Sequence, residues 1–265
     1  MHRILLHIGP FTVYSYGFML ALAFVLGTVL AQARARRRKV SADLITDLVF
    51  VILVSSIIGA RVFYVAVNRQ YYISDPLAVI KVWEGGLVFY GGFIAAFFAA
   101  VWFIRKNGLS VGLVADIMAP SVALGIALGR IGCFLNGCCY GALSERWGMA
   151  FPCADMPPVC SQQIADGLIA PGAAYSLAVL PTQIYSALFA CAVFIALFRI
   201  ERYKRFDGFL FWMFVLMYSA GRFVIEAFRY YDQSYMIGRL TVSQAVSAVL
   251  FIVAASALFT RSKYV

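Results

Sequence analysis

The feature that most limits what this chain can become is its spacing of polarity. Runs of about twenty apolar residues recur along the 265 positions, and the charges collect between them. At 1.5 Å of rise per residue, about 20 residues cross a hydrocarbon core of roughly 30 Å, and within that medium a helix satisfies its own backbone. Seven transmembrane helices are predicted, near 13–33, 46–67, 86–104, 113–135, 181–199, 208–228 and 240–260. Only 13% of the residues are charged, against about 25% in soluble domains. The fold class read from this pattern is an all-α integral membrane protein, one polytopic domain over 1–265. Residues 140–180 form an external cap between the fourth and fifth helices, and 68–84 a smaller arm.

A net charge of +10 raises nucleic acid as a partner, but the basic residues lie between helices rather than along one face, so none is expected. They report orientation instead. The segments after the first, third, fifth and seventh helices hold 13 Lys and Arg, and the opposite segments hold 6, which predicts an external amino terminus and a cytoplasmic carboxyl terminus. An Ala-x-Ala after "FVLGTVL" resembles a signal-peptidase site, yet five positive charges follow at once, so the first helix is expected to be retained.

Three arginines fall inside predicted helices: Arg61 in "GARVFYV", Arg130 in "LGRIGCF" and Arg222 in "AGRFVIEAF". Each stands a few residues below the outer end of its helix. An arginine deep in a bilayer costs on the order of 2.5–3.5 kcal/mol, so three at one depth call for a reason. Snorkelling to the interface is one. A shared anion site is the preferred one, because a planar guanidinium grips phosphate through paired N–H donors. Tyr218, Arg222, Glu226 and Arg229 recur at i, i+4, i+8 and i+11 and so share a helix face. "WEGGLVFYGGF" sets Gly-Gly pairs, Gly86 among them, around Tyr90, which suits either a packing face or backbone open to a ligand. Tyr16 and Gln183 add polar groups near outer helix ends, Asn136 a further hydrogen-bonding group, and Gly141 a flexible exit into the cap.

Six cysteines remain. Cys153 and Cys160 lie in the external cap, where oxidation is permitted, and their spacing leaves open whether they are bonded. Cys133, Cys138 and Cys139 are spaced C-x4-C-C, which matches no common zinc pattern, and His2 and His7 are far away in sequence. No metal and no cofactor are expected, and these thiols read as packing at a helix end.

Together, "IGPFTVYSYGFMLAL", "GARVFYV", "WEGGLVFYGG", "GRIGCFLNGCCYG", "WGMAFP", "PTQIY", "GRFVIEAFR" and "LTVSQ" resemble, in order and over nearly the whole chain, the prolipoprotein diacylglyceryl transferases of bacterial inner membranes. The resemblance implies transfer of the diacylglyceryl group of phosphatidylglycerol to the lipobox cysteine thiol of a preprolipoprotein signal peptide, with release of glycerol phosphate. It implies the two key arginines at Arg130 and Arg222 and family tyrosines at Tyr16 and Tyr218. Tyr90 stands where well-known members carry a histidine, Cys133 and Cys138 where they carry Asn and Glu, and Leu180 where they carry His. Candidate catalytic groups are therefore Arg130, Arg222, Glu226, Tyr90 and Tyr218. Arg61, Arg229, Tyr16, Asn136, Gly86, Gly141 and Gln183 join the two arginines as candidate substrate contacts. The alternative class is a transporter or flippase of an anionic lipid or solute, using the same arginines.

Overall fold

The computed structural model describes residues 3–8, 11–81, 85–230, 236–238 and 240–262. In chain order its elements are β1 (Ile4–Ile8), β2 (Phe11–Tyr14), α1 (Ser15–Arg37), α2 (Ala42–Val67), α3 (Arg69–Ser74), α4 (Phe89–Lys106), α5 (Val111–Asn136), α6 (Pro158–Ala165), α7 (Thr182–Ile200), α8 (Phe209–Glu226), β3 (Met236–Ile237), β4 (Leu240–Thr241) and α9 (Val242–Ser262). Among the described residues seven helices are long and apolar enough to cross a membrane, and they correspond to the seven predicted runs. Their ends differ for local reasons. Arg34, Arg36 and Arg37 occupy the last turn of α1, where cations complement the helix dipole, so the helix outlasts its apolar run. Gly85 and Gly86 sit at φ +91° and +76°, so α4 begins after them at Phe89. The hairpins β1–β2 and β3–β4 were not predicted, being too short for period-two alternation to register.

Contacts divide the chain into two compact units, Leu30–Ile117 and the remainder. In the first of these, α2 and α4 pack through a seam of small residues. A Cβ on Gly59 would strike the side chain of Ala95 and lie 2.6 Å from the carbonyl oxygen of Gly91; one on Gly92 would lie 2.8 Å from that of Ser56. The Gly-Gly pair at 91–92 is thus a packing face, one of the two readings the sequence left open. Arg61 closes the arm over this helix pair. Its Nε donates to Val79 O (2.8 Å), Nη1 to Gly85 O (2.6 Å) and Gly86 O (3.2 Å), and Nη2 to Ala78 O (2.5 Å) and Lys81 O (3.2 Å). A guanidinium has five N–H donors, and here five carbonyls take them.

The other unit, Met1–Val29 with Met118–Val265, has a core of Ala119 and Ala123 from α5, Val193 and Leu197 from α7, and Leu210 and Phe214 from α8. Helix α9 opens with a capping box: Thr241 N–H donates to Gln244 Oε1 (3.0 Å) and Gln244 N–H to Thr241 Oγ1 (3.1 Å). The motif "LTVSQ" is therefore a helix start, and it fixes Ser243 within the first turn. Residues 140–180 build a cap with its own small core, where Phe151, Val159 and Val179 surround a Cys153–Cys160 disulfide. Phe134 of α5 meets Phe151 edge-on at 5.9 Å, and Arg3 Nη1 donates to Asp155 O (2.8 Å), tying the cap to α5 and to the amino-terminal hairpin.

Candidate active site

Arg130 and Arg222, both of the second-described unit, lie near the carboxyl-terminal ends of α5 and α8. Arg130 precedes the end of α5 by six residues, and Arg222 precedes the end of α8 by four, which at 1.5 Å per residue places them about 9 and 6 Å inside. Ser243 Oγ accepts from Arg222 Nε (3.3 Å) and Nη2 (3.1 Å), and Nη2 also pairs with Glu226 Oε2 at 2.8 Å. The same carboxylate oxygen stands 3.6 Å from Arg229 Nη1. Glu226 is 1% exposed and ends α8, so Arg229 lies past the helix rather than on its face as the spacing predicted, and one buried acid holds two guanidiniums in place. Arg222 Nη1 is buried and has no hydrogen-bond partner among the described residues. A buried donor in that condition costs about 1–3 kcal/mol unless something accepts from it.

Arg130 lies against the Tyr218 hydroxyl and near the thiols of Cys133 and Cys139. Tyr218 is held from behind by stacking on Phe214, ring centroids 5.6 Å apart. The phenol of Tyr16 faces the same group, with Arg130, Cys133, Cys138 and Cys139 as neighbours. Helix α1 comes this close because α5 offers Gly132, where a Cβ would lie 3.1 Å from Met19 Cβ and 3.3 Å from the Tyr16 ring.

Just beyond, α5 ends in a Schellman turn. Gly137 N–H donates to Phe134 O (3.1 Å), Cys138 N–H to Cys133 O (3.1 Å), and Gly137 adopts φ +70°. Asn136, the last residue of α5, interacts with the Cys138 thiol. The chain then runs to Gly141, whose N–H donates to Leu180 O (2.8 Å) just before α7, while Leu180 N–H donates to Ala142 O (2.9 Å); a Cβ on Gly141 would stand 2.5 Å from Phe228 O. The first turn of α7 grips this loop: Gln183 Nε2 donates to Cys138 O (2.8 Å) and Thr182 Oγ1 to Cys139 O (3.0 Å). Gln183 is wholly buried and its Oε1 has no partner among the described residues. The Cys139 thiol is held well below its ordinary range by hydrogen bonds from Cys133 and Cys138, with Arg229 and Arg130 adding to the effect. The Tyr140 phenol is pushed up to about 12 by burial, with Tyr230 and Asp166 adding to it, so it stays protonated.

Arg130, Arg222, Glu226, Arg229, Tyr218, Tyr16, Asn136, Gly141 and Gln183 all belong to this one unit. Arg61, Gly86 and Tyr90 belong to the other. Arg61 departs from the anion site expected of it, since its five donors already serve the arm's carbonyls. Gly86 supplies one of those carbonyls, and a Cβ on it would stand 2.5 Å from the Tyr64 ring. Tyr90 is 60% exposed at the start of α4, beside Phe89. The residue-by-residue reading missed Ser243 and Thr182, although both lie within motifs quoted above.

The sequence profile of the prolipoprotein diacylglyceryl transferases matches residues 3–260. The chain belongs to this family. A relative in Bacillus cereus (strain 03BB102), named phosphatidylglycerol–prolipoprotein diacylglyceryl transferase, is 32% identical over 266 residues, covering 99% of this chain and 93% of its own length. Relatives of the same name in Bacillus thuringiensis subsp. konkukian (strain 97-27) and Bacillus mycoides (strain KBAB4) match equally, at 32% over 99% of this chain. Membership makes the chain a multi-pass membrane transferase of lipoprotein biosynthesis. Arg130 and Arg222 fall in the segments that carried the resemblance.

Proposed function

We propose that this chain binds phosphatidylglycerol with its phosphate between Arg130 and Arg222 and transfers the diacylglyceryl group to the lipobox cysteine of a preprolipoprotein. The observation that carries this reading is the buried, unpartnered Nη1 of Arg222, on a guanidinium whose other nitrogens are oriented by Ser243 and Glu226. The substrate thiolate attacks the glyceryl carbon, an S–C bond forms, and the C–O bond to phosphate breaks with its electron pair leaving on glycerol phosphate. Negative charge grows on that phosphate in the transition state. Donors fixed beforehand at the leaving group therefore favour the transition state over the ground state. Arg130 and Arg222 are the catalytic arginines in this scheme, Glu226 and Ser243 position Arg222, and Arg229 balances Glu226. Tyr218 and Tyr16 line the Arg130 side.

The site lies at the external face of a bacterial cytoplasmic membrane, with the amino terminus outside and the carboxyl terminus in the cytoplasm. Supporting this orientation are the Lys and Arg counts of the connecting segments and the disulfide in the cap, since such bonds persist in oxidising compartments. The test is direct: purified protein, phosphatidylglycerol vesicles and a lipobox peptide are incubated and the peptide is weighed by mass spectrometry. A thioether-linked diacylglyceryl adduct is expected. Lipid movement across the vesicle without adduct would replace this reading with the transporter alternative.

A further inference from the structure

We propose that Cys133, Cys138 and Cys139 form a three-thiolate site for a soft cation of the Zn2+ class, with a fourth coordination position left to an incoming ligand. Their Sγ atoms all lie within 4.8 Å of one another. Three thiolates about 2.3 Å from one ion stand roughly 3.8–4.0 Å apart, so the observed cluster needs only small side-chain adjustment. The linear spacing C-x4-C-C hid this, and the Schellman turn explains it: the turn apposes the third residue from the helix end with the second residue beyond it, here Cys133 and Cys138. Cys139 follows at φ +62°, an uncommon conformation for a residue with a Cβ, and its thiol joins the pair. The loop is also fixed from outside by Gln183 and Thr182 on the carbonyls of Cys138 and Cys139. Three thiols can form at most one disulfide and leave an odd one, whereas a thiophilic ion engages all three. The charge is compatible, because three thiolates and a divalent ion leave one net negative charge, with Arg130 and Arg229 as neighbours.

Three protein ligands with an open position are the arrangement of catalytic rather than structural zinc. Resting on the function proposed above, the ligand for that position is the lipobox thiol, since a coordinated thiol is deprotonated outright. Its proton passes to water, the coordinated sulfur attacks the glyceryl carbon as the C–O bond to phosphate breaks and its electron pair leaves with glycerol phosphate, and the thioether formed is a weaker ligand that departs. No histidine is then needed to take the proton.

The test uses the full-length protein in detergent, stripped with a chelator and titrated with Zn2+ alone by calorimetry, with Co2+ as an optical probe of thiolate ligation. One equivalent is expected to bind the wild type and the Cys191→Ser variant, with thiolate-to-cobalt charge transfer, and none to bind the Cys133→Ser/Cys138→Ser/Cys139→Ser variant. Retained helical circular dichroism and an intact Cys153–Cys160 bond show that the variant is folded; single Cys139→Ser, expected to weaken binding at least tenfold, serves if it is not. Wild type that binds no Zn2+, or a folded triple variant that binds it equally, overturns the site. For the thiol step, stripping is expected to lower adduct formation at least tenfold and Zn2+ to restore it, and full activity of the stripped enzyme overturns that step. Absence of adduct with and without Zn2+ would instead count against the transferase reading, while the titration still decides the metal site.

Discussion

At the scale of single residues, Arg222 and Glu226 carry the sharpest expectations. Arg222→Lys keeps a positive charge but removes the fork that lets one nitrogen face a ligand while others hold Ser243 and Glu226. Adduct formation is expected to fall on the order of 100-fold in the peptide assay, an effect of the size seen for losing one transition-state donor. Glu226→Ala leaves two guanidiniums beside a cavity with no counter-charge, and removing one member of a buried pair costs about 3–5 kcal/mol. Its melting temperature in detergent should therefore fall together with activity. Ser243→Ala, by contrast, should leave the melt nearly unchanged and lower turnover several-fold, since the capping box that starts α9 does not use its side chain. Sequence periodicity placed Arg222 and Glu226 on one face of α8 without a structure, but it extended that face to Arg229, which lies beyond the helix end. It gave no sign of Ser243, because a contact between α8 and α9 leaves no trace in either helix's own spacing.

At the scale of elements, the glycines differ in ways only packing reveals. Gly91→Leu would drive a side chain into Phe63 and the α2 backbone, and folded protein should be lost, as judged by gel filtration. Gly125→Ala in α5, where a Cβ would meet nothing within 4 Å, should be neutral or raise stability by about 0.5–1 kcal/mol. The cap has its own measure. Its disulfide closes a loop with a sequence separation of 7, for which chain entropy predicts a contribution of about 2.5 kcal/mol. Cys153→Ser/Cys160→Ser should thus loosen the cap's amides in hydrogen exchange while leaving those of α7 and α8 protected. The helices themselves were legible because lipid enforces one rule on every residue of a span. The C-x4-C-C cluster was not, because its meaning lies in two left-handed backbone positions, Gly137 and Cys139, that linear spacing does not encode.

At the scale of the whole molecule, orientation is the outstanding expectation. An amino-terminal tag should be degraded by protease added to intact spheroplasts, and a carboxyl-terminal tag only after lysis; the reverse pattern would contradict the positive-inside reading. Arg130 and Arg222 fall in one compact unit and Arg61, whose donors the arm's carbonyls take, in the other. Sequence alone grouped all three arginines by depth. Depth cannot tell a guanidinium with an unpartnered donor, as on Arg222, from one whose donors are already taken, as on Arg61.

The five carbonyls around Arg61 amount to a hydration shell made of peptide. A charge so solvated carries its water substitute with it, much as a channel filter does for its ion. The arm's carbonyls gain in return, since a buried backbone oxygen outside a regular ladder needs a donor from elsewhere in the protein. Lysine, with three donors instead of five, would leave part of that shell facing nothing.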